Sequence, residues 1–273
     1  MKIIRFLTEH QSIFYGQYDP ARPGYACIIE GDIFQDFHVT TKNVKIQRLL
    51  CPIQSSNILA LGLNYRRHAQ ETKMDVPDYP IVFMKATSCV IGHEEPILLP
   101  AAGPEQVDYE AELAVVIGTS AKNLKLSEAL NCILGYTCAN DISARDWQFE
   151  KQKGQWVRGK SFDTFCPLGP WIVTKDDIAN PNQLHIRAIL NGDDILQDSN
   201  TSNMIFDIAA IISFLSQSMT LLPGTVILTG TPEGVGFTRQ PPLFLKAGDR
   251  ITIEIEGIGR LSNPVIREQP SLT

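Results

Sequence analysis

The 273-residue chain is short of positive charge: 24 Lys and Arg against 30 Asp and Glu give a formal net charge of −6. That balance excludes a general affinity for nucleic acid or an anionic membrane, which basic patches supply. No charge-free apolar run reaches membrane-spanning length, so no transmembrane helix is expected. The six cysteines, Cys27, Cys51, Cys89, Cys132, Cys138 and Cys166, include no C-x-x-C pair. They lie mostly among apolar residues and read as buried free thiols of a reducing compartment. Glu9 and His10 interrupt any apolar run near the N-terminus, so no signal peptide is expected and the location reads as cytoplasmic. The patterns G-x-G-x-x-G, G-x-S-x-G and H-E-x-x-H are absent, which argues against a dinucleotide site, a nucleophile elbow and a zinc protease. There is no internal repeat and no low-complexity linker.

What is present is a series of short apolar segments. Residues 1–52 read as a small β-rich unit, with strand-like Lys2–Phe6 and Tyr25–Ile29, and a boundary falls near Leu50-Cys51-Pro52. Residues 53–273 form the second unit. There, strands are expected at Ile58–Gly62, Ile81–Lys85, Ile133–Ala139, Gly169–Thr174, Leu184–Leu190, Val226–Thr229 and Arg250–Glu256. Helices are expected from about Tyr65 to Thr72 with Asn64 as cap, from Ser127 to Cys132 with Ser127 as cap, and from Met204 to Met219. Strands outnumber helices without a βαβα rhythm, so the fold class is α+β with a mixed, curved sheet.

The segment Val107-Asp108-Tyr109-Glu110-Ala111-Glu112-Leu113-Ala114-Val115-Val116-Ile117 reads as one strand. Alternate side chains share a face, so Asp108, Glu110 and Glu112 line up about 7 Å apart. Carboxylates that close, partly shielded from water, need protons or a cation between them. Oxygen ligands on a rigid element suit Mg²⁺, Mn²⁺ or Ca²⁺. The plain alternative is a solvent-facing edge of a half-exposed strand.

Other residues offer partners. Asp141 ends an apolar strand, and helical spacing would set Asp141, Arg145 and Gln148 on one face; a capping Asp with a surface salt bridge is the alternative. His68 and Glu71 stand three apart, a spacing that lets a carboxylate orient an imidazole as a general base. Lys160 lies in a Gly-flanked loop between Trp156 and Phe162, an environment that favours a partly enclosed charge over a solvated one. Leu228 to Gly236 is a Gly-rich turn whose amides and Thr hydroxyls could grip a carboxylate.

Five ordered motifs together resemble the fumarylacetoacetate hydrolase family, in its shorter FAHD-type branch. They are Gly62-Leu63-Asn64-Tyr65-Arg66-Arg67-His68, Asp108-Tyr109-Glu110-Ala111-Glu112-Leu113, Asn140-Asp141-Ile142-Ser143-Ala144-Arg145-Asp146, Gly159-Lys160-Ser161-Phe162-Asp163-Thr164-Phe165 and Leu222–Pro232. The resemblance spans about Ser56 to Val265. It implies a mixed sheet rolled into a partly open barrel, commonly dimeric, with Glu110, Glu112 and Asp141 as ligands of Mg²⁺ or Mn²⁺. It further implies His68 and Glu71 as a catalytic pair, Lys160 facing the substrate, and Arg145, Gln148 and Thr231 near the substrate carboxylate and carbonyl. No fourth acidic ligand precedes His68, where the chain reads Leu61-Gly62-Leu63-Asn64. That departure weakens fumarylacetoacetate itself as substrate.

The expected activity is that of a divalent-metal-dependent enzyme on a small anionic 2-oxo or β-diketo acid, through a stabilised enolate. Hydrolysis of a C–C bond of the acylpyruvate type, or decarboxylation, is the leading reading. An oxaloacetate-type keto–enol tautomerase without C–C cleavage is the alternative, and a non-catalytic metal-binding scaffold is a further one.

Overall fold

A computed structural model describes residues 1–103 and 105–269. Among these residues the strands form a twelve-stranded sheet, a five-stranded sheet and a two-stranded ladder. The large sheet runs in the order Phe37–Lys45, Tyr25–Gly31, Ile13–Tyr18, Lys2–Leu7, Cys166–Thr174, Ile133–Asn140, Ala111–Ile117, Val226–Leu228, Ile58–Gly62, Ile81–Lys85. Arg48–Leu50 joins it on Lys2–Leu7 and Val90–Ile91 on Cys166–Thr174. Most pairings are antiparallel, but Val226–Leu228 runs parallel to Ile58–Gly62. The sheet is therefore mixed and the class α+β, as expected.

Ala111–Ile117 lies between Ile133–Asn140 and Val226–Leu228, and every one of its residues is buried. Burial on both faces explains why Leu113 to Ile117 is continuously apolar rather than alternating. The five-stranded sheet contributes Ile186, Ala188, Ile253 and Leu261 to the same core as Leu113 and Cys138. The N-terminal strands enter the large sheet through Lys2–Leu7, where Ile3 stands opposite Ile172. Alternation then divides that strand: Ile3 faces the main core, while Ile4 and Phe6 close on Ala26 in a satellite cluster.

Helices are few, and three expectations are corrected. The helix expected over Met204–Met219 spans Ile208–Ser218, because the Asp207 side chain accepts the Ala210 N–H at 2.8 Å and caps it there. The Ser127-capped helix is a single 3₁₀ turn, Ala129–Cys132, without a side-chain cap. Asn64 does not cap the helix Arg66–Glu71; Tyr65 holds that position. Instead Asn64 donates to Thr229 O at 2.7 Å and Phe206 O at 3.1 Å and accepts from Phe206 N at 2.9 Å, tying three distant segments together. The polar turn at His93-Glu94 is also a fastener. Arg250 Nη1 donates to both Glu94 carboxylate oxygens at 2.8 Å, and His93 Nδ1 accepts the Ser262 N–H at 3.1 Å.

Gly135 marks where the large sheet is tightest. A Cβ there would lie 2.2 Å from the backbone oxygen of Val173, on the neighbouring strand. Backbone cannot yield as a flexible side chain would, so Gly135→Ala is expected to lower the unfolding free energy by about 1–3 kcal/mol. Urea denaturation checks this; a midpoint equal to that of the unmodified protein would contradict it.

Candidate active site

The acidic segment is not one strand. Val107–Asp108 pairs with Ser143–Ala144 in the two-stranded ladder, and the buried strand of the large sheet starts only at Ala111. Side chains interrupt it: Asn140 Oδ1 accepts the Glu110 N–H at 3.0 Å, and Gln197 Oε1 accepts the Ala111 N–H at 2.8 Å. Asp108 is thereby separated from the other two carboxylates. Its oxygens accept from Tyr109 N at 2.9 Å, Gly236 N at 2.8 Å, Phe237 N at 3.0 Å and Arg145 Nε at 2.9 Å. Gly236 is required by that approach, since a Cβ there would stand 1.9 Å from Leu243 O and 2.5 Å from Asp108 Oδ1.

Glu110, Glu112 and Asp141 converge, each offering a carboxylate oxygen within 4.8 Å of the others, and all three are buried. Lys160 Nζ donates to Glu110 Oε2 at 2.7 Å and to Asp141 Oδ2 at 2.9 Å. Arg145 Nη1 lies 2.8 Å from Glu110 Oε1. Burial works to raise Glu110, but Lys160 and Arg145 outweigh it and hold the carboxyl well below its ordinary range. Glu112 goes the other way: burial first, then repulsion by Asp141 and Glu110, pushes it well above. Its Oε2 accepts the Gly230 N–H at 2.6 Å, whereas its buried Oε1 has no hydrogen-bond partner. An orphaned carboxylate oxygen facing two further carboxylates is the environment of a hard divalent cation, and these residues fit one.

Sequence reasoning missed Lys85. It ends the strand Ile81–Lys85, is 2% exposed, and pairs with Asp141 Oδ1 while donating to Ile142 O at 3.2 Å. Burial pulls its pKa down, but Asp141 overrides this and the net direction is upward. The signal was a lysine closing an otherwise apolar strand, which needs a buried anion.

His68 and Glu71 do meet: Nδ1 and Oε2 are 3.2 Å apart on Arg66–Glu71. Glu71 also accepts from Gly234 N at 3.0 Å and Thr238 Oγ1 at 2.8 Å. Burial raises its pKa, yet the bonds from His68, Thr238 and Gly234 together bring it below the usual value. His68, Glu110, Arg145, Gln148, Lys160 and Thr231 all line one pocket of about 270 Å³. Arg145 and Gln148 are joined by a 2.8 Å bond from Nη1 to Oε1, but Asp141 shares no helix with them; Ser143–Ala144 intervenes as a strand before the π-helical turn Asp146–Glu150. Thr231 Oγ1 accepts from Gln197 Nε2 at 2.8 Å, a second residue not anticipated. The Gly-rich turn grips carboxylates, as its composition implies, but they are the protein's own: Glu112, Glu71 and Asp108.

A mixed sheet with a buried acidic triad, whose Glu110 lines one pocket together with His68 of a His–Glu pair, defines an enzyme with a candidate divalent-metal centre. The chain belongs to the fumarylacetoacetate hydrolase family, in the FAHD-type branch: the family model described as fumarylacetoacetate (FAA) hydrolase C-terminal matches residues 57–266. It is 51% identical over 219 residues to a Xenopus laevis protein named oxaloacetate tautomerase fahd2, mitochondrial, covering 80% of this chain and 68% of that one. To the Rattus norvegicus oxaloacetate tautomerase Fahd2a, mitochondrial, it is 47% identical over 80% of this chain and 69% of the relative. Among solved structures, 5-carboxymethyl-2-hydroxymuconate delta-isomerase from Mycobacterium smegmatis superposes with a TM-score of 0.86 at 40% identity, covering 98% of this chain and 100% of that one.

The names of the relatives overturn the cytoplasmic expectation, since they place those proteins in the mitochondrion. The expectation rested on free thiols and on the N-terminal sequence, and a thiol state reports only a reducing compartment.

Asp108 sits outside the triad and anchors Arg145. Asp108→Ala removes the acceptor of one guanidinium nitrogen and three amides, all in a buried setting. The expected loss is about 3–5 kcal/mol of stability. Thermal or urea unfolding measures it, and a loss under ~1 kcal/mol would show that the bonds do not hold the turn.

Proposed function

We propose that this protein is a divalent-metal-dependent tautomerase that interconverts the enol and keto forms of an oxaloacetate-type 2-oxo acid. The sequence alone favoured C–C hydrolysis or decarboxylation, with the tautomerase as alternative. The tautomerase and isomerase names of the relatives favour the alternative. The observation that carries the reading is the buried triad of Glu110, Glu112 and Asp141, with its orphaned Glu112 oxygen, which reaches through Glu110 the pocket that His68 lines.

Glu110, Glu112 and Asp141 would hold Mg²⁺ or Mn²⁺, with Ca²⁺ a third candidate, and the ion would supply Lewis-acid polarisation of the 2-oxo group. Glu71 engages His68 Nδ1, which leaves Nε2 as the nitrogen that moves a proton at substrate C3. Lys160 places a positive charge beside the oxygen that becomes the enolate oxyanion. Arg145, Gln148 and Thr231 orient the substrate carboxylate. Removing and returning one proton leaves the carbon skeleton intact, so no water is consumed.

The same proposal includes the rolled, partly open barrel, a small unit of residues 1–52 beside a catalytic unit of 53–273, a homodimeric assembly, and the mitochondrial location that the relatives' names carry.

Two variants separate the roles. Glu112→Ala is expected to weaken Mg²⁺ and Mn²⁺ binding in calorimetric titration by more than about tenfold and to abolish turnover. His68→Ala should keep the metal affinity and lose about 10²–10⁴-fold in kcat, followed by decay of enol oxaloacetate in the near ultraviolet. Full turnover by His68→Ala would remove the proposed base. Products with fewer carbons by NMR would return the reading to C–C cleavage.

A further inference from the structure

We propose that the pocket also takes 3-aryl-2-oxo acids (arylpyruvates), seating the aryl ring on an aromatic wall and catalysing the same enol–keto interconversion. This rests on the tautomerase reading and extends its substrate class.

The pocket lining is of two kinds. Its polar side chains include Glu110, Arg145, Gln148 and Lys160, and its apolar wall is built from Leu63, Met74, Phe83, Phe149, Trp156 and Phe237, with the Phe83 ring centre 5.2 Å from Lys160 Nζ. Its rings are paired. Phe83 meets Trp156 edge-on with centroids 5.4 Å apart, and Phe149 meets Phe237 at 5.5 Å. Such tilted and edge-on pairs present both faces and edges to a third ring. Gly62 makes room for this wall, because a Cβ there would lie 2.3 Å from the Trp156 ring.

The two cations that line the pocket, Lys160 and Arg145, are already paired with the protein's own carboxylates. Lys160 is held between Glu110 and Asp141. Arg145 serves Asp108, Glu110 and Gln148, and Phe237 covers its guanidinium at 4.4 Å. Among the described lining residues, no Lys or Arg remains free to meet a second carboxylate at the far end of a substrate. A ring there gains contact with apolar side chains, whereas a charged group loses its water against them. The reaction balances without a co-reactant: the enol O–H at C2 loses its proton, C2 becomes a carbonyl, and C3 gains a proton.

The test uses the full chain with Mg²⁺ and two probes, enol phenylpyruvate and enol oxaloacetate, each followed by its near-ultraviolet absorbance. The unmodified protein is expected to accelerate both. Trp156→Ala should lower kcat/KM for phenylpyruvate by about tenfold or more, mainly through KM, and for oxaloacetate by a smaller factor. Trp156→Phe should recover most of that loss. Phenylpyruvate binding, read from quenching of Trp fluorescence, should be present in the unmodified protein. Acceleration of oxaloacetate with phenylpyruvate no faster than in buffer overturns the aryl slot alone. Equal losses for both substrates in Trp156→Ala also overturn it. Acceleration of neither substrate removes the tautomerase reading beneath it.

Discussion

The structure is organised around buried negative charge. Asp108, Glu110, Glu112 and Asp141 are each at most 6% exposed, and they face Lys85, Lys160 and Arg145, each at most 4% exposed. Four carboxylates against three cations leave one formal negative charge inside the protein. A buried ion left uncompensated costs several kcal/mol, so the fold has to surround this group with donors. It does so by bringing together segments from across the chain. Lys85 comes from one end of the large sheet, Glu112 from its central strand, Asp141 from the end of the next strand, and Lys160 and Arg145 from short helical turns.

Backbone amides supply what the cations do not. The turn from Gly230 to Phe237 directs N–H groups at Glu112, Glu71 and Asp108 in succession. The glycines serve two ends there. Gly230 and Gly234 have φ of +95° and +97°, and Gly236 lets the backbone close on Asp108. One turn thus fixes a candidate ligand, the orienter of the candidate base and the anchor of Arg145. Ionised Glu71 in turn fixes the His68 tautomer, because an acceptor at Nδ1 keeps the proton on that nitrogen.

Much of this was legible in order but not in geometry. Periodicity located the strands, and residue chemistry picked out Glu110, Glu112, Asp141, His68 and Lys160; Glu110, His68 and Lys160 line one pocket, and Glu112 and Asp141 cluster with Glu110. Three features escaped for physical reasons. The alternation of Asp108, Glu110 and Glu112 implied one strand, but side chains of Asn140 and Gln197, 30 and 86 residues away, take up the backbone groups that would have continued it. Lys85 closes an ordinary apolar strand, and only the tertiary position of Asp141 shows why a charge is tolerated there. The Asp141–Arg145–Gln148 spacing pointed to a helix face, yet Ser143–Ala144 pairs with Val107–Asp108, and a tertiary ladder overrides local period.

The residual charge bears on which substrates suit the site. A divalent ion at the triad would turn the single formal negative charge into a single positive one, which one substrate carboxylate neutralises. Any further negative charge, whether a second carboxylate or the oxyanion of an enolate, must be met by groups already in the pocket. Lys160 is the group placed for it, with its ammonium shared at 2.7 and 2.9 Å between Glu110 and Asp141. Were those two carboxylates drawn onto an ion, their hold on Lys160 would weaken and its charge would be released toward the substrate oxygen. A monocarboxylate makes that demand once, at the enolate. A dicarboxylate makes it twice, against an aromatic wall with no free Lys or Arg among the described lining residues. Charge balance and wall chemistry therefore both bear on the proposed aryl substrate: a 2-oxo acid with one carboxylate and an apolar tail asks less of the site than a dicarboxylate such as oxaloacetate, whose second carboxylate must be met by Lys160 or Arg145.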